Sequence, residues 1–258
     1  MLFINTRPKD RASALTQALI EAGHQVAALS LLELVAQPFS GELQQLYQQL
    51  DVTQVIVVVS PTAVEIGMQY LQQADIPLSQ LTHIQWIAVG QATAQKLARY
   101  GIHSHIPEVE TSEGMLDLPV LKQLQHLTQI AFWRGLGGRQ FMMQQLQQQG
   151  INVLNFVLYR RQCPEISLSK FPEILNKITE YQKVAVLISS EASWKYWQQL
   201  CRNHPRSIQW IYLVLGERLV NVLQDAHDPV VPPINIIRLE NLSASEMIQR
   251  IHDWQGNI

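Results

Sequence analysis

The sequence predicts an α/β protein built as two flavodoxin-like, doubly wound parallel-sheet domains joined by a two-stranded β-ribbon. Three observations predict it. Short Val- and Ile-rich runs alternate with helical patterns, the alternation occurs twice, and one segment in each half is too long for an ordinary strand. Continuous apolar runs joined by helices belong to parallel sheets covered on both faces, and about five strands per sheet suit the flavodoxin-like order.

Taken in order, residues 2–6 read as a strand and 11–21 as a helix with Ala14, Leu15, Ala18 and Leu19 on one face. Gly23 ends that helix as a left-handed residue, and 25–30 is the next strand. The pattern returns as strand 129–133, a helix through Phe141, Met142, Gln145 and Leu146, then Gly150 and strand 152–159. Arg7 matches Arg134, Gly23 matches Gly150 and Val26 matches Val153, each 127 positions apart. Residues 55–60 resemble 184–189, and each run precedes a helix. Ile84-Gln85-Trp86 recurs as Ile208-Gln209-Trp210. Thr111-Ser112-Glu113 is echoed by Ser243-Ala244-Ser245-Glu246, a hydroxyl before an acid at a helix start. Four matches in the same order make this a duplication.

Residues 25–36 and 152–163 are each longer than a strand needs to be, so each can serve one sheet and then leave it. Pairing the two extensions as an antiparallel ribbon makes domain one from residues 1–36 with 165–258 and domain two from 37–162. The crossings then fall near 30–40 and 157–165, with a cleft between the domains. A simple split into 1–127 and 128–258 is the alternative.

Bulk properties narrow the function. The 258 residues are 47% hydrophobic and carry a formal net charge of -2, so no global field attracts nucleic acid. Only 16% are charged, and much of the polar surface is Gln, as in the run 144–149. Cys163 and Cys201 have no metal-type spacing, and no run approaches the length of a membrane span. A soluble, cytoplasmic protein is expected.

In open parallel sheets, ligands bind beyond the carboxyl ends of the strands. Those ends carry Arg7, Arg134, Ser60, Thr62, Ser189, Ser190, Gln91 and Thr93, mostly just before helices. Hydroxyls, guanidinium groups and free N–H groups there favour carboxylates or phosphates. Gly137, Gly138 and Arg139 lie in a glycine-rich turn before a helix, without the Gly-Lys-Ser/Thr of a P-loop. Plain helix capping explains any single Ser or Thr; the convergence of the set is the stronger signal. Tyr159 aligns with Leu32 across the repeat, so the scaffold does not require its phenol. A phenol is protonated at neutral pH and can donate a proton or a hydrogen bond to a leaving oxygen.

Several motifs together resemble the uroporphyrinogen-III synthase family over essentially the whole chain. They are Asn5-Thr6-Arg7-Pro8, Leu31-Leu32-Glu33-Leu34, Ser60-Pro61-Thr62-Ala63-Val64-Glu65, Gly90-Gln91-Ala92-Thr93, Thr111-Ser112-Glu113-Gly114, Arg134-Gly135 with Gly137-Gly138-Arg139, and Val157-Leu158-Tyr159-Arg160-Arg161. The resemblance implies two domains, and cyclisation of hydroxymethylbilane with inversion of ring D and loss of water. It implies no cofactor, no metal, and a helpful tyrosine at the position of Tyr159. The substrate-binding set is then Arg7, Ser60, Thr62, Gln91, Thr93, Arg134, Gly137, Gly138, Arg139, Ser189 and Ser190. A linear tetrapyrrole is the expected partner, handed over transiently from hydroxymethylbilane synthase to a monomer that binds neither nucleic acid nor membrane. One departure stands out: Gly216-Glu217-Arg218-Leu219 replaces a Gly-x-x-Thr turn in the second half. The alternative is a non-catalytic two-domain binder or sensor of an anionic ligand.

Overall fold

The computed structural model describes residues 1–124, 126–181, 183–202, 209–225 and 235–256. They form two compact units, one of Met1–Glu33 with Gln162–Ile258 and the other of Leu34–Arg161. The chain therefore passes between the units twice.

From the N-terminus, β1 (Leu2–Asn5) leads into α1 (Lys9–Glu21), and Gly23, at φ +84°, turns the chain into β2 (Gln25–Ala28) and then β3 (Glu33–Ala36). After α2 (Gly41–Gln48) come β4 (Val55–Val58), α3 (Pro61–Gln73), β5 (Gln85–Ala88), α4 (Gln91–Ala98) and β6 (Ser104–His105). The short helices α5 (Ser112–Leu116) and α6 (Pro119–Gln123) precede β7 (Gln129–Gly135), α7 (Phe141–Gln148) and β8 (Asn152–Gln162). The remainder is α8 (Glu165–Ile178), β9 (Lys183–Ile188), α9 (Glu191–Cys201), β10 (Gln209–Leu215), α10 (Glu217–Asp225), β11 (Asn235–Leu239) and α11 (Ala244–Gly256).

The first unit's sheet runs β11-β10-β9-β1-β2 and every pair is parallel. Counting only its own strands, that order is the 2-1-3-4-5 of flavodoxin-like folds. The second sheet runs β3-β8-β7-β4-β5-β6. Its strands β8 to β6 repeat the same order, with β7 and β8 in the places of β1 and β2. β3 is an added edge. The Gln37 N–H donates to the Leu158 carbonyl at 2.8 Å and the Gln162 amide donates to Glu33 at 2.8 Å. Numbers fall along β8 as they rise along β3, so this pair is the antiparallel ribbon.

The two long segments differ in kind. Residues 152–162 form one unbroken strand, whereas the chain between β2 and β3 leaves strand geometry at 29–32. Leu29 and Leu31 are fully buried there, and their N–H groups bond to the carbonyls of Asn5 and Thr6. Anchoring both leucines in the first unit's core is what interrupts the strand.

The ladders confirm the 127-residue register, since Leu2 pairs with Gln25 as Gln129 pairs with Asn152. They also correct two alignments. Val55 pairs with Ile130, and the counterpart of Ile130, Phe3, pairs with Ala185. Ser60 therefore corresponds to Ser190, not Ser189, and each caps the helix that follows. By the same reasoning Trp86 corresponds to Tyr212, not Trp210; Ile208 lies outside the described residues. Thr111 and Ser243 do match, each hydroxyl accepting from the N–H three residues on.

Alternation along the strands puts side chains into two layers per sheet. In the second unit Ile56, Val58, Trp133 and Phe156 pack with residues of α2, α3 and α4, while Val57, Ile87 and Phe132 pack with Met142 and Leu146 of α7. Gly67 is a close-packing position: a Cβ there would lie 2.2–2.8 Å from the Trp133 indole. Gly67→Ala is expected to destabilise this unit by about 1–3 kcal/mol, because overpacking outweighs the gain of about 1 kcal/mol in helix propensity. Denaturant unfolding checks it; unchanged or raised stability would mean that the indole yields freely. Among the described residues no helix is long and apolar enough to cross a membrane.

Candidate functional site

The carboxyl ends of β4, β5, β7 and β8 border a cavity of about 300 Å³ within the second unit. Val59 and Val89 form its apolar floor, and the turn after β7 and the segment before α5 form its sides.

Tyr159 is delivered into this cavity by an irregularity of β8. Arg134 pairs with Val157, but Gly135 pairs with Tyr159, so one residue is inserted between them. Such bulges re-aim side chains. The ring is only 2% exposed, and its hydroxyl lies 3.0 Å from Ser60 Oγ. Ser60 already accepts from the Ala63 N–H as the cap of α3. Either hydroxyl can donate in this pair; with Ser60 as the donor, the phenol proton is free to point elsewhere. The Arg161 guanidinium stands 5.8 Å from the ring centroid.

The strand-end position predicts Arg134 as an exposed rim cation. It is instead buried, at 5% exposure, and its Nη2 is bonded to the Gly137 carbonyl and, at 3.3 Å, to that of Gly138. Nη1 lies 3.4 Å from Met143 Sδ. Both glycines have φ +78°, which turns their carbonyls back toward the guanidinium. Burial lowers the Arg134 pKa from the usual guanidinium range, and the neighbouring Tyr159 opposes that shift. Its role here is to hold the glycine turn that walls the cavity. Arg139 is exposed and paired with Glu113, at 3.0 Å and 2.5 Å from the two carboxylate oxygens.

At the start of α4 the Gln91 N–H is the expected anion donor, and it is engaged by this chain itself. Glu110 Oε1 accepts from it at 2.9 Å, and a Cβ on Gly90 would lie within 2.2–2.4 Å of the Glu110 carboxyl group. Glu110 also lines the cavity. Local sequence gives no sign of this contact, because a residue 19 positions away makes it.

Other candidates fall elsewhere. Thr93 is 2% exposed and does not line this cavity; its structural counterpart Leu219 is also buried. Thr62 is half-buried in the first turn of α3 and does not line the cavity either. Arg7, Ser189 and Ser190 belong to the first unit. Arg7 Nη1 approaches the Leu242 carbonyl at 3.4 Å, and Ser190 forms a capping box with Ser193. Thr111 and Ser112, flagged by the repeat, line the cavity beside Met115. The two halves differ most in polar character here: Tyr159, Arg139 and Glu110 in the second unit align with Leu32, Ala12 and Leu242 in the first.

Comparison with known proteins gives this site its setting. A family model described as uroporphyrinogen-III synthase HemD matches residues 13–233. The chain belongs to the uroporphyrinogen-III synthase family. A uroporphyrinogen-III synthase from Proteus mirabilis is 30% identical over 163 residues, covering 62% of this chain and 80% of that one. A mutant uroporphyrinogen III synthase from the extremely thermophilic bacterium Thermus thermophilus superposes over 99% of this chain and 98% of its own, with a TM-score of 0.63 at 15% identity. The Helicobacter pylori enzyme does so over 98% of each chain, with a TM-score of 0.59 at 14% identity. At such identities the solved structures speak for the shared fold, and the synthase family is carried by the sequence matches.

Proposed function

We infer that this chain is a cyclising lyase that converts hydroxymethylbilane to uroporphyrinogen III, inverting ring D and releasing water, and that Tyr159 assists the departure of the hydroxymethyl oxygen. Membership of the uroporphyrinogen-III synthase family over residues 13–233 carries the reaction. The phenol at the cavity, held by Ser60, supports the assignment of the side chain.

In the proposed mechanism the pyrrole nitrogen pushes out the hydroxymethyl oxygen: the carbon–oxygen bond breaks as the oxygen takes the Tyr159 phenol proton and leaves as water. The azafulvene that remains is an electrophile. Attack by the substituted carbon of ring D, rather than the open one, forms a spiro intermediate; that carbon's original methylene bond then breaks, the methylene rejoins at the open carbon, and the proton lost there returns to the Tyr159 phenolate, so the protein's main task is orientation. The substrate has eight carboxylates, and a charge-assisted hydrogen bond contributes roughly 1.5–3 kcal/mol. Several modest donors can therefore fix the chain's geometry without a dominant ligand. Within the second unit we assign that role to the N–H groups at Gln91, Gly137 and Gly138 and to Arg139, with Arg134 acting through the glycine turn it holds. On this reading the enzyme works as a monomer in the cytoplasm, on substrate passed from hydroxymethylbilane synthase.

Incubation of the purified protein with hydroxymethylbilane tests the activity. The type III isomer is expected; type I alone, the uncatalysed product, would favour a non-catalytic binder of anionic ligands. Glu110 supplies a finer prediction, because it holds an N–H that a substrate carboxylate would use. Glu110→Gln is expected to lower KM about two- to fivefold with kcat little changed, a modest effect because the carboxylate is exposed and screened. An unchanged or raised KM would show that Glu110 does not compete with substrate.

A further inference from the structure

Gly135 lies at the end of β7, directly opposite Tyr159. Nothing in its backbone asks for glycine: the residues with left-handed φ in this region are Gly137 and Gly138, and Gly135 is not among them. A glycine in a strand weakens it, since it loses more freedom on folding and brings no side chain to the sheet. Space accounts for it instead. A Cβ at 135 would lie 2.5 Å from Tyr159 Cε2, 2.6 Å from Cζ and 3.0 Å from Cδ2, so the phenol ring rests across the bare α-carbon. The hydroxyl end of the same ring is fixed by Ser60 at 3.0 Å, and the peptide beyond is fastened by Leu136 N–H on the Tyr159 carbonyl at 2.6 Å.

The other half of the duplication has neither the glycine nor the tyrosine. At the 127-residue spacing of the repeat, Gly135 corresponds to Pro8 and Tyr159 to Leu32. Pro8 caps α1, whereas Gly135 still belongs to β7, so the glycine goes with the half that carries the tyrosine.

We propose that Gly135 is a positioning residue for Tyr159: its missing side chain forms the seat that holds the phenol against Ser60 and into the cavity. The proposal rests on the assignment of Tyr159 to the reaction. A methyl group at 135 pushes the ring away by roughly 1 Å, enough to break the bond to Ser60, and a misplacement of that size can slow a reaction about 10²-fold.

Four variants test it: Tyr159→Phe, Gly135→Ala, Gly135→Ala with Tyr159→Phe, and Gly135→Ala with Tyr159→Leu. Kinetics, isomer ratio and thermal unfolding are read for each. Gly135→Ala is expected to lower kcat about as far as Tyr159→Phe does, with KM within about threefold of the parent, and to add nothing in the Tyr159→Phe background. Gly135→Ala with Tyr159→Leu is expected to recover the parent's melting temperature without recovering activity, since the clash is gone and the phenol with it. If Tyr159→Phe slows turnover and Gly135→Ala does not, the proposal is overturned. Multiplying losses in the Gly135→Ala, Tyr159→Phe pair overturn it too, because Gly135 would then act by another route. Should Gly135→Ala fail to fold, recovery of folding in the Tyr159→Leu pair upholds the seat, and failure there refutes it. An unchanged rate in Tyr159→Phe rejects the tyrosine assignment itself, a distinct result.

Discussion

Replacing Tyr159 by phenylalanine is expected to slow turnover of hydroxymethylbilane about 10²-fold, the low end for loss of a general acid, while both units stay folded. The low end is appropriate because the hydroxymethyl oxygen leaves readily even without help. Phenylalanine retains the ring that rests on Gly135 and removes only the hydroxyl. The Ser60 oxygen keeps the Ala63 N–H, and its proton, freed from the phenol, can turn to solvent because the residue is only half-buried. The stability change should therefore stay within about 1 kcal/mol. The product distinguishes two roles for the phenol. If it only assists departure of the oxygen, the slower reaction still yields type III; if it also orients ring D, type I rises. Steady-state kinetics with isomer separation reads both, and a rate unchanged from the parent would remove Tyr159 from the mechanism.

Arg134→Met is expected to destabilise the second unit by about 2 kcal/mol and to lower kcat/KM at least about tenfold. Methionine keeps much of the volume among Met143 and the strand residues, so the loss is one of hydrogen bonds. The carbonyls of Gly137 and Gly138 lose their buried donor, and the left-handed turn is released from its place beside the cavity. Arg134→Lys should not restore the parent, because an ammonium is a point donor and cannot span two carbonyls and a thioether as the guanidinium fork does. Denaturant unfolding and kinetics on both variants decide it. Full recovery by lysine would mean that charge alone matters at this position.

The fold was legible because the chain states it twice. One reading of strand, helix and left-handed glycine is ambiguous, but Gly23 and Gly150 in the same register remove most of the ambiguity. What sequence reading missed in the fold was the interruption at 29–32, where two buried leucines outweigh strand continuity; propensity does not distinguish them from the apolar residues of β8. In the candidate site Tyr159 stood out because its counterpart is Leu32. Arg134 was misplaced at the rim for a physical reason. Residue type and a strand-end position predict a cation at the rim, but they do not say whether its hydrogen bonds are taken up within the chain. Arg134 is engaged by glycine carbonyls and Arg139 by Glu113. Glu110 on the start of α4 depends on a loop returning from β6, a contact invisible to any local pattern. Gly135 was legible as glycine, but its reason lies in a ring that arrives 24 residues later.

The interleaving of the two units also sets an order of events at the ribosome. Residues 34–161 are contiguous, so the unit bearing the cavity has all of its chain once Arg161 has emerged. The other unit does not. Its strand β1 lies between β2 and β9, so one edge of the first strand made must wait for residues 183–188 before it is covered. An uncovered strand edge is a template for pairing with another chain. Nascent β1 therefore keeps one edge open until β9 is made, and the chain of the cavity-bearing unit is complete before that of its partner.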